Sequence, residues 1–225
     1  MKGISPKKAL QRRRKMSHFI DAADEIISEK GIESLTIRGV SDIAGYNSAT
    51  LYGYFSSLDH LIYYTYMKHI TEFDQLLRPA FEMSGKASKS FEVTWRLFCK
   101  FAFENPNVIY TFMFSPYSKN FSEILEDYKQ IYSSDFKSSL GEGNELLFKD
   151  SIFDVVLVKL QLFEKGLNIS EAEIDEMNSF IQTYFQGQLV RRMTFESDLD
   201  IETYMERMVR FVDQIVWSYT AKKKA

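Results

Sequence analysis

A chain of 225 residues, 45% of them hydrophobic, is long enough for one large domain or two small ones and can bury a substantial core. It contains no run of about 18 apolar residues, which excludes a membrane-spanning helix. Cys99 is the only cysteine, so an internal disulfide is excluded, and no apolar segment follows the basic N-terminus as it would in a signal peptide. We therefore expect a cytoplasmic protein.

The net charge of −3 is unevenly distributed. Residues 1–60 contain nine Lys and Arg and seven Asp and Glu, whereas residues 61–225 contain 19 and 24. Residues 1–16 carry seven basic residues and no acidic one. Local charge governs attraction to phosphate, so this segment favours contact with nucleic acid. A basic tail that only aids solubility is the alternative.

Helical periodicity begins near Gln11 and predicts a first helix that ends near Lys30. The segment 36–55 then predicts two short helices joined by a tight turn. Thr36 is a good N-cap, and Gly45 tolerates the positive φ that ends a helix. Asn47 caps the next helix. The side chains expected to face inward on these three helices are Phe19, Ala22, Ala23, Ile26, Ile27, Ile37, Val40, Ile43, Ala44, Leu51 and Phe55.

A short helix, a glycine turn and a second short helix form a helix-turn-helix, whose second helix enters the DNA major groove. On that second helix Ser48, Ala49, Tyr52 and Tyr54 remain outside the predicted core.

The same region resembles the TetR family of bacterial transcriptional regulators. The likeness runs in one ungapped register through Ile20–Ala23, Gly31, Leu35–Ile37, Ile43–Gly45, Thr50–Tyr52, Tyr54, Phe55 and Leu61. It covers about the first quarter of the chain. A looser likeness to the ligand domains of the family occurs at 101–106. The resemblance implies an all-α protein with an N-terminal three-helix DNA-binding domain and a larger helical domain for ligand binding and dimerisation.

The predicted DNA-binding residues combine both arguments. The resemblance implies that Thr36, Tyr52 and Tyr54 contact the DNA backbone. Many relatives carry Lys at the positions of Ser48 and Leu58, so two basic contacts are missing here. We expect Ser48 and Ala49 to approach base edges and the basic arm to compensate at phosphates or in the minor groove. The full predicted set is Thr36, Asn47, Ser48, Ala49, Thr50, Tyr52, Tyr54, Arg12, Arg13 and Arg14.

Beyond the helix-turn-helix the pattern remains helical. A fourth helix over 57–78 connects the DNA-binding domain, 1–56, to the second domain, 79–225. Further helices are predicted near 88–104, 107–114, 121–138 and 147–166.

Two terminal helices, near 171–193 and 199–221, carry long apolar stripes. Ser170 and Glu173 form a capping box at the start of the first. In TetR-like proteins the two terminal helices of each subunit pair into a four-helix dimer interface, and the mid-helix Gly187 is consistent with close approach of helices. Packing within the monomer core is the alternative. The predicted interface residues are Phe180, Tyr184, Gly187, Met208, Phe211 and Ile215.

The middle helices are rich in aromatic residues and predict a site for an apolar or aromatic small molecule, although such stripes also make ordinary core. The candidates are Phe98, Phe103, Tyr110, Met113, Phe114, Tyr117, Tyr128, Phe153 and Leu157.

No catalytic constellation or cofactor motif is present, and the three histidines have no metal-ligand spacing. We therefore expect no enzymatic activity, no cofactor and no metal. The sequence predicts a homodimeric repressor that a small-molecule effector releases from a palindromic operator. The alternative is a TetR-like DNA-binding protein whose C-terminal domain binds a protein partner and no small ligand.

Overall fold

The structure is a computed structural model that describes residues 5–70, 72–73, 75–76, 87–132, 169–195 and 199–221. The helix predicted near 147–166 lies outside these residues, and so does the C-terminal end of the helix predicted near 121–138. No strand occurs among the residues described, and the all-α prediction is confirmed. No helix in the described part of the chain is long and apolar enough to cross a membrane.

The N-terminal helices are α1 (Pro6–Lys30), α2 (Ile37–Ala44), α3 (Ser48–Tyr52) and α4 (Leu58–Tyr66), with a 3₁₀ turn at Ile32–Ser34. The later helices are α5 (Ala87–Glu104), α6 (Pro106–Phe114), α7 (Phe121–Ile131), α8 (Glu171–Thr194) and α9 (Ile201–Ala221), and a second 3₁₀ turn lies at Ser118–Asn120.

The described residues divide into two compact units. One combines those between Met1 and Thr71 with those between Asn120 and Gly141, and the other combines those between Glu72 and Lys119 with those between Glu142 and Ala225. Helix α7 therefore belongs to the unit that contains the N-terminal helices. The predicted domain boundaries, 1–56 and 79–225, do not anticipate this grouping.

Helix α1 is the centre of the first unit and packs against α2, α4 and α7. Phe19, Leu51 and Phe55 are completely buried, and the rings of Phe19 and Phe55 meet edge to face. Burial of a large apolar side chain stabilises a fold by about 1.5–3 kcal/mol, so this cluster holds the short helix α3 and the residues after it against α1.

Three expectations for this unit need correction. Helix α1 begins at Pro6 rather than near Gln11, because proline is favoured at the first helical position. Ile43 is 44% exposed, since Val40 and the neighbouring Ser41 take the buried side of α2. Helix α4 ends at Tyr66 in a turn over 67–68, and helical residues follow at 69–70, 72–73 and 75–76, so the predicted continuous helix over 57–78 is interrupted. The buried Thr65 hydroxyl donates to the Leu61 carbonyl, a bond that bends helices.

In the second unit, α5 packs against α6, α8 and α9, and α8 packs against α6 and α9. Aromatic rings fill the space between these helices: Phe98 and Phe103 of α5 both contact Phe185 of α8, and Phe103 stacks on Tyr204 of α9 at 4.9 Å between ring centroids. The capping box predicted at Ser170 and Glu173 is present at the start of α8.

Candidate nucleic-acid interface

The helix-turn-helix is built from side-chain caps and one left-handed glycine. The Thr36 hydroxyl accepts the amide of Gly39 at 3.0 Å and begins α2. Gly45 has φ 76° and ψ 28°, which favours glycine, and ends α2. The following amide, that of Tyr46, donates to the Ser41 carbonyl at 3.0 Å. These bonds fix the path of the chain into α3.

Asn47 and Thr50 use their polar atoms within the protein. Asn47 Oδ1 accepts the Thr50 amide at 2.8 Å and the Thr50 hydroxyl at 2.9 Å, and so caps α3. Both residues were predicted to bind DNA, but Oδ1 of Asn47 is already occupied by two donors. On the same helix Ala49 is exposed and Ser48 is half-buried. The outer surface of α3 is thus presented mainly by Ser48, Ala49 and Tyr52.

Two tyrosines border this surface in different ways. Tyr52 is 57% exposed. Tyr54 is half-buried, with its ring 6.2 Å from that of Phe19 and the guanidinium of Arg12 at 5.4 Å from its centroid. This cation–π contact places Arg12 beside the helix-turn-helix.

The basic segment is helical rather than an extended arm, because Arg12–Lys15 lie within α1. Successive residues of a helix point in different directions, and the three arginines separate accordingly. Arg12 lies over Tyr54, the side chain of Arg13 donates to Oε1 of Gln130 on α7, and Arg14 is exposed. From Pro6 onward the predicted basic arm is therefore part of helix α1.

Three residues at this surface are not among the predicted DNA-binding residues. Arg38, on the first turn of α2, has a side chain that is 91% exposed and lies 3.9 Å from Asp42. Tyr46 and His18 contact each other beside the helix turn, with Nδ1 of His18 at 3.2 Å from the tyrosine hydroxyl. The helical periodicity of α2 places Arg38 away from buried Val40, so the exposure of its side chain could have been predicted from the sequence. The pairing of His18 with Tyr46 joins positions 28 residues apart and leaves no local signal.

Helix α7 is joined to α1 and α4 by polar contacts. The hydroxyl of Tyr132, just after α7, donates to Asp21 at 2.6 Å, and that of Tyr64 donates to Asp127 at 3.1 Å. Burial, followed by the charge and hydrogen bond of the carboxylate, raises the pKa of Tyr64, and burial together with the Asp21 bond raises that of Tyr132. Both phenols therefore remain protonated donors at physiological pH.

His60 lies at the beginning of α4 and is part of the same unit. Its Nδ1 accepts the Ser56 amide at 3.2 Å, and its ring meets those of Phe55 and Tyr64 edge to face. Burial lowers the pKa of His60, against the smaller opposing effect of Asp127 and Glu123. A neutral imidazole can keep accepting the Ser56 amide.

Among the described residues, the predicted ligand residues are divided between the two units. Phe98 and Phe103 are completely or almost completely buried in the ring cluster of the second unit. Tyr128 belongs to the unit that contains the N-terminal helices. The half-buried members are Tyr110, Met113, Phe114 and Tyr117. Phe153 and Leu157 lie outside the described residues.

The predicted interface residues of α8 and α9 are largely, but not all, at the surface. Phe180 is 48% exposed, and half-buried Tyr184 stacks on half-buried Phe211 at 4.1 Å between centroids. Gly187 is exposed, and a Cβ placed on it would have no atom within 4 Å. Met208 is 0% exposed, so its assignment to an interface is wrong: it fills the monomer core.

No group of histidine, cysteine and carboxylate side chains that could hold a metal ion occurs in the described residues. Burial raises the pKa of the Cys99 thiol, which is completely enclosed. The chemistry of the exposed N-terminal surface is instead that of amides, hydroxyls, aromatic rings and cations around a short helix. These features define the class of the protein, an α-helical DNA-binding protein of the helix-turn-helix type.

The comparisons with known proteins concern mainly the N-terminal segment. Residues 19–63 match the family model described as bacterial regulatory proteins, tetR family. This segment of the chain is therefore similar to the N-terminal segment of TetR-family transcriptional regulators, as the sequence predicted. The segment matched coincides with the helices whose caps and core are described above. No curated protein matches the chain.

Two solved structures are similar to the chain. The chain is similar to the Thermus thermophilus FadR, a TetR family transcriptional repressor solved in complex with lauroyl-CoA, at 12% identity and a TM-score of 0.56, over 88% of this chain and 92% of that one. It also matches the fatty acid degradation regulator FadR from Bacillus halodurans at 14% identity and a TM-score of 0.46, over 94% and 96%. The likeness to the Thermus thermophilus structure establishes the fold alone.

Proposed function

We propose that the protein is a TetR-family regulator that acts as a homodimeric repressor and that an apolar small molecule releases it from a palindromic operator. The observation that carries the DNA-binding part is the surface of α3, a rigidly capped helix that presents Ser48, Ala49 and Tyr52 outward. The short helix is held on Phe19 through buried Leu51 and Phe55, so its outer surface is available to a major groove.

The proposed roles of these residues differ. Thr36, Tyr52 and Tyr54 contact backbone phosphates and fix the register, whereas Ser48 and Ala49 approach base edges. Arg12 and Arg14 add phosphate contacts from α1. Asn47 and Thr50 support the site by holding the first turn of α3, because their side chains are bonded to each other.

Dimerisation is proposed through the exposed sides of α8 and α9. Along α8 the exposed residues Phe180, Gly187 and Val190 recur at helical spacing and form one stripe. The Tyr184–Phe211 stack continues this apolar surface onto α9. A symmetric pairing would bury the same patch on both subunits and would hold two copies of α3 about one DNA turn apart, ~34–36 Å.

The effector is proposed to be apolar. The aromatic side chains of α5 and α6 provide apolar walls of the kind that small-molecule sites use. The Thermus thermophilus structure contains lauroyl-CoA, so a fatty acyl-CoA, whose acyl chain is apolar and whose coenzyme A part is charged, is the first class of compound to test on this chain.

Selection from a pool of random DNA duplexes tests the DNA-binding part. The full-length protein is expected to enrich an inverted repeat whose half-sites are one helical turn apart. Recovery of no preferred sequence, or of a single unrepeated half-site, would contradict the proposed sequence-specific dimer.

Release from the recovered operator tests the effector. Fluorescence anisotropy is followed while lauroyl-CoA is added, with coenzyme A and lauric acid as controls for the two parts of the molecule. We expect release by lauroyl-CoA and little by coenzyme A. If neither lauroyl-CoA nor lauric acid changes operator affinity, this class of effector is wrong.

A second function has one observation in its favour. The second unit exposes Trp217 at 70% and Phe195 at 63%, while its described core is filled by aromatic rings. Exposed apolar surface is typical of protein-protein contacts. The C-terminal unit would then bind a protein partner instead of a small molecule. An operator affinity that neither lauroyl-CoA nor lauric acid changes would be consistent with this alternative, and release by either compound would count against it.

A further inference from the structure

Lys15, His18 and Tyr46 form a cluster beside the helix turn that the proposed contacts of α3 do not use. Nδ1 of His18 lies 3.2 Å from the Tyr46 hydroxyl, and the two rings are stacked with an interplanar angle of 24°. Nζ of Lys15 lies 5.7 Å from the centroid of the Tyr46 ring. Two basic side chains of α1 are thereby gathered around one phenol.

The position of Tyr46 is fixed by its neighbours. It stands between Gly45, which ends α2, and Asn47, which caps α3, and its amide donates to the Ser41 carbonyl at 3.0 Å. Its ring also packs on buried Phe19 at 5.2 Å between centroids. The cluster therefore has a defined place at the entrance to α3. A helix that enters a major groove has backbone phosphates beside its N-terminal end.

We propose that Lys15, His18 and Tyr46 hold one DNA backbone phosphate at the entrance to α3, and that His18 takes up a proton when the phosphate binds. This inference rests on the DNA-binding function proposed above. Lys15 supplies a fixed positive charge, and the protonated imidazole supplies a second one. The cluster thus supplies basic contacts to the DNA backbone that Ser48 and Leu58, which are not lysines, do not provide.

The protons balance within the cluster. With a proton on Nε2 only, the neutral imidazole accepts the Tyr46 hydroxyl at Nδ1, and that hydroxyl has no proton left for another acceptor. When solvent supplies a proton, Nδ1 becomes a donor to the Tyr46 oxygen, and the hydroxyl proton turns to a phosphate oxygen. Because phosphate binding is coupled to the uptake of this proton, DNA affinity should rise as the pH falls.

The charged groups around His18 are mostly basic. On α1, Arg14 and Lys15 lie one turn before it and Asp21 lies nearly one turn after it. The carboxylate of Asp21 already accepts the Tyr132 hydroxyl at 2.6 Å. From the helix turn, Tyr46 is the titratable group that faces the imidazole.

The test measures binding of the full-length protein to a labelled duplex of about three helical turns, by fluorescence anisotropy, at several salt concentrations. Between about pH 8 and pH 5.5 we expect the affinity to rise about tenfold, the effect of one charge-assisted hydrogen bond. The slope of log K against log salt should steepen by about 0.9, because one more phosphate is neutralised. Circular dichroism at both pH values verifies that each protein is folded.

Three variants separate this site from other sources of pH dependence. His18→Gln should remove both the pH effect and the change in salt slope. His69→Gln is the matched control in the same unit and should retain both. Tyr46→Phe keeps the ring over which Lys15 lies, so it should bind as the wild type does near pH 8 and lose about threefold near pH 5.5.

The outcomes are distinct. A wild-type salt slope that is the same at both pH values overturns the phosphate site while leaving DNA binding intact. Retention of the pH effect in His18→Gln also overturns it and directs attention to His60 or His69. Absence of binding to any duplex at either pH contradicts the proposed function itself.

Discussion

Gly187 offers a substitution whose effects on the monomer and on the dimer have opposite signs. It lies in the middle of α8, is exposed, and has no atom within 4 Å of the position that a Cβ would occupy. A glycine inside a helix costs about 1 kcal/mol relative to alanine, and leucine is nearly as favourable as alanine. In the isolated subunit, Gly187→Ala and Gly187→Leu should therefore raise the free energy of unfolding by up to about 1 kcal/mol.

The dimer should respond in the other direction. If the helices of two subunits approach closely at Gly187, each leucine overpacks the contact, and such insertions typically cost 1–3 kcal/mol. The symmetry of the pair places two of them in one interface. A total of at least ~2 kcal/mol corresponds to an increase of about 30-fold in the dimer dissociation constant. Gly187→Ala should show the same stabilisation of the subunit with a smaller effect on the dimer.

Sedimentation velocity over a range of concentrations measures the dissociation constant of the dimer. Urea unfolding followed by circular dichroism measures the free energy of unfolding of the subunit. Gln11→Leu, an exposed neutral side chain on α1 in the other unit, is the control for adding a leucine. A Gly187→Leu dimer as strong as the wild type would refute the proposed interface. A destabilised subunit would refute the reasoning from open space around the glycine.

Four further predictions concern the N-terminal unit. Tyr52→Phe should weaken binding by about three- to tenfold for every duplex tested, because a phosphate contact carries no sequence information, and a changed operator preference by anisotropy would disprove this role. Asn47→Ala should lower the urea-unfolding free energy by about 1 kcal/mol through loss of the α3 cap, and equal stability would show that the cap contributes nothing. Deletion of residues 1–9 should make the salt dependence of binding shallower, whereas an unchanged slope would identify a passive tail. Burial lowers the pKa of His60 from 6.5, so its contribution to stability is present above that value and is lost as the pH falls through the lower folded-state pKa. His60→Gln should remove that loss in urea unfolding measured across this range, and an equal acid sensitivity in the variant would assign it to other groups.

Local signals predicted the helix-turn-helix well. Thr36, Gly45 and Asn47 act on backbone atoms within three to five residues, and each adopts the cap or left-handed conformation that its chemistry favours. The stripes that place Leu51 and Phe55 in the core also depend only on helical spacing. The same reasoning was less accurate for Ile43, because a helix of eight residues has too few positions to define its buried side sharply.

Residue type did not predict which arginines are available to DNA. Arg12, Arg13 and Arg14 are adjacent and chemically identical, but Arg12 lies on Tyr54, Arg13 bonds to Gln130 and Arg14 is exposed. The separation depends on α1 starting at Pro6 and on a helix more than 100 residues away along the chain. A periodic pattern describes one helix at a time, and it contains no information about such a partner.

Helix α7 is a second case in which the sequence pattern gave no information about partners distant along the chain. Its pattern predicted a helix of the ligand domain, and its residues instead contact α1 and α4 through Asp127, Gln130 and the following Tyr132. Each of these bonds contributes of the order of 1 kcal/mol, so together they are comparable to a single buried aromatic side chain. They join the helices that present the proposed DNA-binding residues to a segment that lies, along the chain, between two parts of the second unit. A displacement of α7 would therefore first alter the hydrogen bonds of Arg13, Asp21 and Tyr64, which lie on the helices that support the helix-turn-helix.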